Sequence, residues 1–158
     1  MRPASRNPGS NRGFSLVELI VSMTVISILL AIVMNSTNGM LIDGQITKAQ
    51  EEISTLKTAI TSYWRQNGFN YPPDIHASLT GAEPTILDRP LRDPFNTDTT
   101  NNTFGYAAGS DSVFGPYFVI YTRGPRGDTA APTWDATNQR FTYTGSGLAA
   151  SNAPVLKY

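Results

Sequence analysis

The chain has 158 residues, with 12 Lys and Arg against 12 Asp and Glu, one His and no Cys. This length allows one domain with at most a small appendage. A formal net charge of zero gives no overall basic field, so general nucleic-acid binding by counterion release is not expected. The lack of cysteine excludes disulfides, zinc–thiolate sites and thiol nucleophiles within this chain.

An apolar run of membrane length lies near the amino terminus. Residues 14–34 carry a single charge, Glu18, and are long enough to cross about 30 Å of hydrocarbon as a helix. The preceding arm carries Arg2, Arg6 and Arg12 and no acidic residue. The positive-inside rule places this arm in the cytoplasm, so we expect the part after the run to lie outside it. A secretory signal peptide would have a shorter apolar run.

The residues at the start of this run resemble a known processing signal. Residues 12–18 read RGFSLVE, and together with the basic leader and the apolar run they resemble the signal of type IV prepilins. In that family a dedicated membrane peptidase cuts after the glycine. The resemblance implies cleavage between Gly13 and Phe14, N-methylation of Phe14, and a mature chain that keeps its apolar helix.

Glu18 would be the fifth residue of the processed chain. A cationic amine on Phe14 and a carboxylate one helical turn later are both costly in lipid when unpaired, so their pairing is favoured. The carboxylate of one copy could neutralise the amine of a neighbouring copy, which would fix the register between stacked helices. Pairing within one chain, or an acid that simply stays solvated at the membrane edge, are the alternatives.

Beyond the run, apolar residues recur at alternating spacings of three and four, which predicts an amphipathic helix. They are Ile46, Ala49, Ile53, Leu56, Ile60 and Tyr63. Asn67-Gly68 is a helix-stop signal. We therefore predict one helix from about Ser15 to about Gln66. Poor helix formers cluster at 35–44, where either a bend or a continuous helix is compatible with the sequence.

The remaining sequence changes to Thr, Asn, Gly, Pro and Asp with short aromatic and β-branched runs between them. Strands are predicted at about Phe104–Ala107, Tyr117–Arg123, Arg140–Thr144 and Val155–Tyr158. Because a small sheet must cover one apolar face, the amphipathic helix is its expected partner. We predict an α+β, pilin-like fold with a long helix packed on a small antiparallel sheet.

This pattern predicts four regions. They are a cytoplasmic leader (1–13), a transmembrane and assembly half of the helix (14–42), an amphipathic half (43–66) and a periplasmic head (67–158).

The head is similar to that of the major pseudopilin of type II secretion systems. The similarity rests on residues 91–95 (LRDPF), 104–106 (FGY) and 117–127 (YFVIYTRGPRG). In that family the loop after the last of these strands binds calcium, and the resemblance implies Asp128 and Asp135 as oxygen ligands of the type calcium prefers. Arg126 stands where the family usually has an aspartate. Two aspartates that cap turns are the alternative.

Catalytic residue patterns are not evident. His76 is the only histidine, so neither a His-based triad nor a multi-histidine metal site can be built. Asp88, Asp93 and Asp98 are explained more simply as turn residues than as paired catalytic carboxylates. We predict that the chain is not an enzyme.

The resemblance implies a structural subunit of a type II secretion pseudopilus in the bacterial inner membrane. Its expected partners are further copies in a homo-oligomeric filament, minor pseudopilins, prepilin peptidase, a platform protein with its ATPase, and membrane lipid, with no nucleic acid. One alternative is a major or minor subunit of a type IV pilus that serves adhesion, motility or DNA uptake. Another is a signal-anchored envelope binding protein or enzyme that never polymerises.

Overall fold

The computed structural model describes residues 14–98 and 102–158. The chain divides into two compact units, one up to Met40 and one over Leu41–Tyr158. The elements are α1 (Leu16–Gln66), α2 (Ile75–Thr80), β1 (Gly105–Asp111), β2 (Gly115–Tyr121), β3 (Thr133–Asp135), β4 (Arg140–Tyr143), β5 (Ala149–Ser151) and β6 (Val155–Lys157).

The long helix is confirmed. Helix α1 has 51 residues and runs without interruption through 35–44, which supports the continuous-helix alternative. At its start the Ser15 carbonyl accepts a hydrogen bond from the Leu19 amide at 3.1 Å. At its end the chain reverses at Gly68, whose φ of 62° is a conformation that glycine adopts without strain.

The carboxy-terminal part of α1 forms one wall of the head's main core. Its buried residues include Ile53, Leu56 and Ile60, which lie on the predicted apolar stripe. They pack with Phe104, Phe118 and Ile120 of the sheet region, and with Ile75 and Leu79 of α2. The predicted packing of helix on sheet is therefore confirmed within this unit.

The strands of the head form two three-stranded sheets. The first has the order β1-β2-β5 and is antiparallel throughout. The second has the order β3-β4-β6, in which β4 and β6 pair in parallel. The predicted α+β class and the antiparallel sheet are confirmed, and the structure adds the second sheet, whose strand β3 and the neighbouring strand β5 of the first sheet are each only three residues long.

Strand β2 joins the two layers of the head, since successive side chains of a strand point to opposite faces. Phe118 and Ile120 lie in the core against α1, whereas Val119 packs in a second cluster with Phe141 and Ala153. Aromatic rings extend this second cluster, with Trp134 stacked on Tyr117 at a centroid distance of 4.3 Å. The strand is thus buried on both faces.

Helix α2 was not predicted, although its start has a clear signal. Asp74 is the N-cap residue, and its carboxylate accepts hydrogen bonds from the amides of His76 at 2.7 Å and Ala77 at 2.9 Å. These two bonds give acceptors to backbone amides of the first turn that have no partner within the helix, and they lower the pKa of Asp74. The helix ends at Thr80, and Gly81 is its C-cap residue.

Candidate functional site

The amino-terminal unit presents an exposed apolar helix. Every residue from 14 to 34 is exposed, including Phe14 at 79% and Leu16 at 74%. The most apolar window of α1 has a mean hydropathy of 2.7, and none of that window is buried within the chain. By length and composition this helix can span a membrane. Such a surface requires lipid or further apolar helices to cover it.

Polar groups along this apolar surface are satisfied locally. The hydroxyls of Ser22, Thr24 and Ser27 donate to backbone carbonyls four residues earlier, at 2.7, 2.8 and 2.8 Å. Each hydroxyl thus enters an apolar environment with its donor already bonded. The charged carboxylate of Glu18 is different, because no other charge occurs between residues 14 and 34.

Phe14 and Glu18 are four residues apart at the start of the described part of this unit. Phe14 precedes the helix, and Glu18 is the acidic residue of its first turn. A negative side chain at a helix amino terminus is favoured by the helix dipole. Gly13, the other predicted cleavage residue, lies outside the described residues.

An exposed apolar helix of this length fits a membrane-anchored protein. Residues 9–34 match the family model described as "Prokaryotic N-terminal methylation motif". This match identifies a type IV pilin-like prepilin signal and points to a structural subunit. The comparisons with curated proteins and with solved structures each gave no match.

The two aspartates suggested for calcium each lie in their own turn. The Asp128 carboxylate accepts hydrogen bonds from the hydroxyl and the amide of Ser146, and these bonds lower its pKa. The Asp135 carboxylate accepts from the side chain and amide of Asn138, which likewise lower its pKa. Within residues 14–98 and 102–158, no group of three or more His, Cys, Asp or Glu side chains is placed to hold a metal ion.

The surroundings of His76 and Asp93 indicate structural roles. Burial lowers the pKa of His76, whose ring nitrogens have no hydrogen-bond partner. Asp93 is 2% exposed and accepts hydrogen bonds from the amides of Phe95 and Arg123. Asp93 therefore fastens a turn to the chain that follows β2, as its predicted turn role requires.

Proposed function

We propose that this chain is a structural subunit of a type II secretion pseudopilus, anchored in the inner membrane and polymerised to support protein export across the outer membrane. The observation that carries the proposal is the methylation motif at residues 9–34, with Glu18 in the first turn of an exposed apolar helix. The head similarity at residues 91–95, 104–106 and 117–127 directs the proposal toward the pseudopilus.

In this proposal prepilin peptidase removes residues 1–13 and methylates the new amine of Phe14. The basic leader stays on the cytoplasmic side and the head lies in the periplasm, as the positive-inside rule favours. The methylated amine keeps its positive charge, so the processed chain begins with a cation one helical turn before the carboxylate of Glu18. Processing thus creates the partner that Glu18 needs in lipid.

Polymerisation follows from the cost of unpaired charge. When a subunit enters the filament, the Glu18 carboxylate of one copy pairs with the Phe14 amine of a neighbour, while the apolar surfaces of residues 14–34 cover one another. An axial shift would separate the two charges inside an apolar filament, so pairing also fixes the register. A platform protein and its cytoplasmic ATPase would drive this step, with minor pseudopilins in the same filament.

The test compares Glu18→Ala with Glu51→Ala, an exposed acid on the other half of the same helix. Cells that supply prepilin peptidase and the assembly machinery should cleave both variants. The Glu18 variant should fail to form filaments that pellet and are visible by electron microscopy, whereas the Glu51 variant should assemble like the wild type. Wild-type assembly by processed Glu18→Ala would contradict the proposed role of the carboxylate.

A secretion assay separates the pseudopilus from the type IV pilus alternative. Deletion of the gene should leave secreted proteins in the periplasm, and the wild-type chain should restore their appearance in the medium. Normal secretion combined with the loss of surface fibres, adhesion, motility or DNA uptake would instead favour a pilus subunit.

A further inference from the structure

The loop after β2 forms hydrogen bonds with a second loop 18 residues further along the chain. The Asp128 carboxylate accepts from the Ser146 amide at 2.7 Å and from its hydroxyl at 2.6 Å. Next to it, the Thr129 hydroxyl accepts from the Gly147 amide at 2.7 Å. We call these contacts between residues 124–129 and 145–148 the clasp.

The backbones of the two loops lie so close together that only glycine, which has no side chain, fits at the contact. A Cβ on Gly124, whose φ is 75°, would lie 2.3 Å from the Gly147 nitrogen. A Cβ on Gly147 would lie 2.3 Å from the carbonyl oxygen of Thr122. Thr122 is fully buried and bonds Leu148 through both its amide and its hydroxyl. The clasp is therefore a closely packed contact that side chains and backbone hold directly.

Cationic side chains already lie at this contact. The Gly147 carbonyl, an oxygen of the kind that calcium binds, accepts from the Tyr143 hydroxyl at 3.2 Å and from the Lys157 ammonium at 3.4 Å. The same ammonium lies 5.8 Å from the centre of the Tyr143 ring. The positive charge of Arg126 also favours the ionised form of Asp128 and so contributes to its lowered pKa.

These surroundings do not fit the calcium ion that the family resemblance implies. Asp135 is occupied in its own turn, with its carboxylate bonded to the Asn138 side chain at 2.7 Å and 3.8 Å from the Arg140 guanidinium. Among residues 14–98 and 102–158, Asp128 belongs to no group of three or more His, Cys, Asp or Glu side chains that could hold a metal ion. Seven-coordinate oxygen sites of the usual kind need several such donors free to face the ion.

We infer that the clasp holds the loop after β2 without a metal ion, with the Asp128 carboxylate as its central acceptor and the Lys157 ammonium donating to the Gly147 carbonyl from outside it. The inference concerns the head alone and does not depend on polymerisation. It makes the carboxy-terminal half of the head stable where free calcium is scarce.

Thermal melting of the full chain in detergent tests this inference. Trp134 lies in the head, and Trp64 of α1 stacks on Tyr71 of the head at a centroid distance of 6.1 Å, so their fluorescence reports its unfolding. The wild type should melt at the same temperature in excess EGTA and in millimolar calcium chloride. Asp128→Ala should melt about 5 °C lower in both solutions, as expected when a loop-fixing contact is lost. Asp88→Ala removes an exposed carboxylate elsewhere in the head and should melt like the wild type.

Asp128→Asn keeps one acceptor oxygen for Ser146 and should show a smaller decrease, which allows the test even if Asp128→Ala does not fold. Two results would overturn the inference. One is a wild-type melting temperature that falls in EGTA and recovers with calcium chloride. The other is wild-type melting by Asp128→Ala.

Discussion

Replacement of Asp93 by alanine should destabilise the head strongly. Its carboxylate is 2% exposed and lies between two chain segments. One oxygen accepts from the Phe95 amide at 2.9 Å, and the other accepts from the Arg123 amide at 2.8 Å. Alanine would leave both amides without this acceptor. Because Phe95 is buried, water would not take the place of the carboxylate at its amide.

The size of the effect follows from two opposing contributions. A hydrogen bond to a charged group contributes roughly 1.5–3 kcal/mol, and Asp93 makes two with backbone amides. Burial of the carboxylate opposes this gain and raises the pKa of Asp93, so its removal also relieves a desolvation cost. We expect a net loss of about 3 kcal/mol in the free energy of unfolding. For a unit of this size the melting temperature should fall by about 10–15 °C.

Urea unfolding of the full chain in detergent, followed by tryptophan fluorescence, measures this loss. The stability of Asp93→Asn should lie between those of the wild type and Asp93→Ala. Its amide oxygen can accept from one backbone N–H, but its NH₂ group would face the other. Asp88→Ala is the control for loss of one negative charge from an exposed position. If the free energy of unfolding of Asp93→Ala remained within about 0.5 kcal/mol of the wild type, the conclusion that this carboxylate stabilises the turn would be refuted.

Three further predictions concern the head and use the same unfolding assay. Gly105→Val should lower the melting temperature, because a Cβ at Gly105 would lie 2.2 Å from the Tyr121 ring; Tyr121→Ala in the same chain should restore part of the loss. Leu56→Ala should lower the free energy of unfolding by about 2–5 kcal/mol, since Leu56 is 0% exposed in the main core. A decrease below about 1 kcal/mol would contradict that placement. Burial lowers the pKa of His76 from 6.5 in spite of nearby Asp74, so the folded state binds its proton less tightly than the unfolded state. Stability should therefore fall as the pH drops from about 6.5 through the folded pKa, and urea midpoints of His76→Gln should show a weaker dependence over that range.

The elements that follow a long periodic pattern were predictable. Helix α1 ends at Gln66 as expected, because an apolar stripe and a helix-stop signal both act locally. Strand β2 was evident from its aromatic and β-branched run, though it spans Gly115–Tyr121 and not Tyr117–Arg123. Strand β1 extends to Asp111, beyond the predicted end at Ala107, because pairing with β2 holds a small-residue segment that has weak strand preference of its own.

The candidate functional residues divide in the same way. Phe14 and Glu18 could be proposed from the sequence because the matched methylation motif is a contiguous string. The roles of Asp128 and Asp135 could not, because a carboxylate's partners depend on the fold. The hydrogen-bond partner of Asp128, Ser146, lies 18 residues away and becomes its neighbour only when the two loops meet. Sequence reasoning also missed Lys157, whose contact with Gly147 requires β6 to pair with β4.

The intact mass of the membrane-purified protein tests the central claim most directly. The chain should be expressed in a cell with an active prepilin peptidase, extracted in detergent and measured by mass spectrometry. We predict a mass that corresponds to residues 14–158 with one added methyl group on Phe14. A full-length mass in the same cells would contradict prepilin processing and leave a membrane-anchored head that does not assemble.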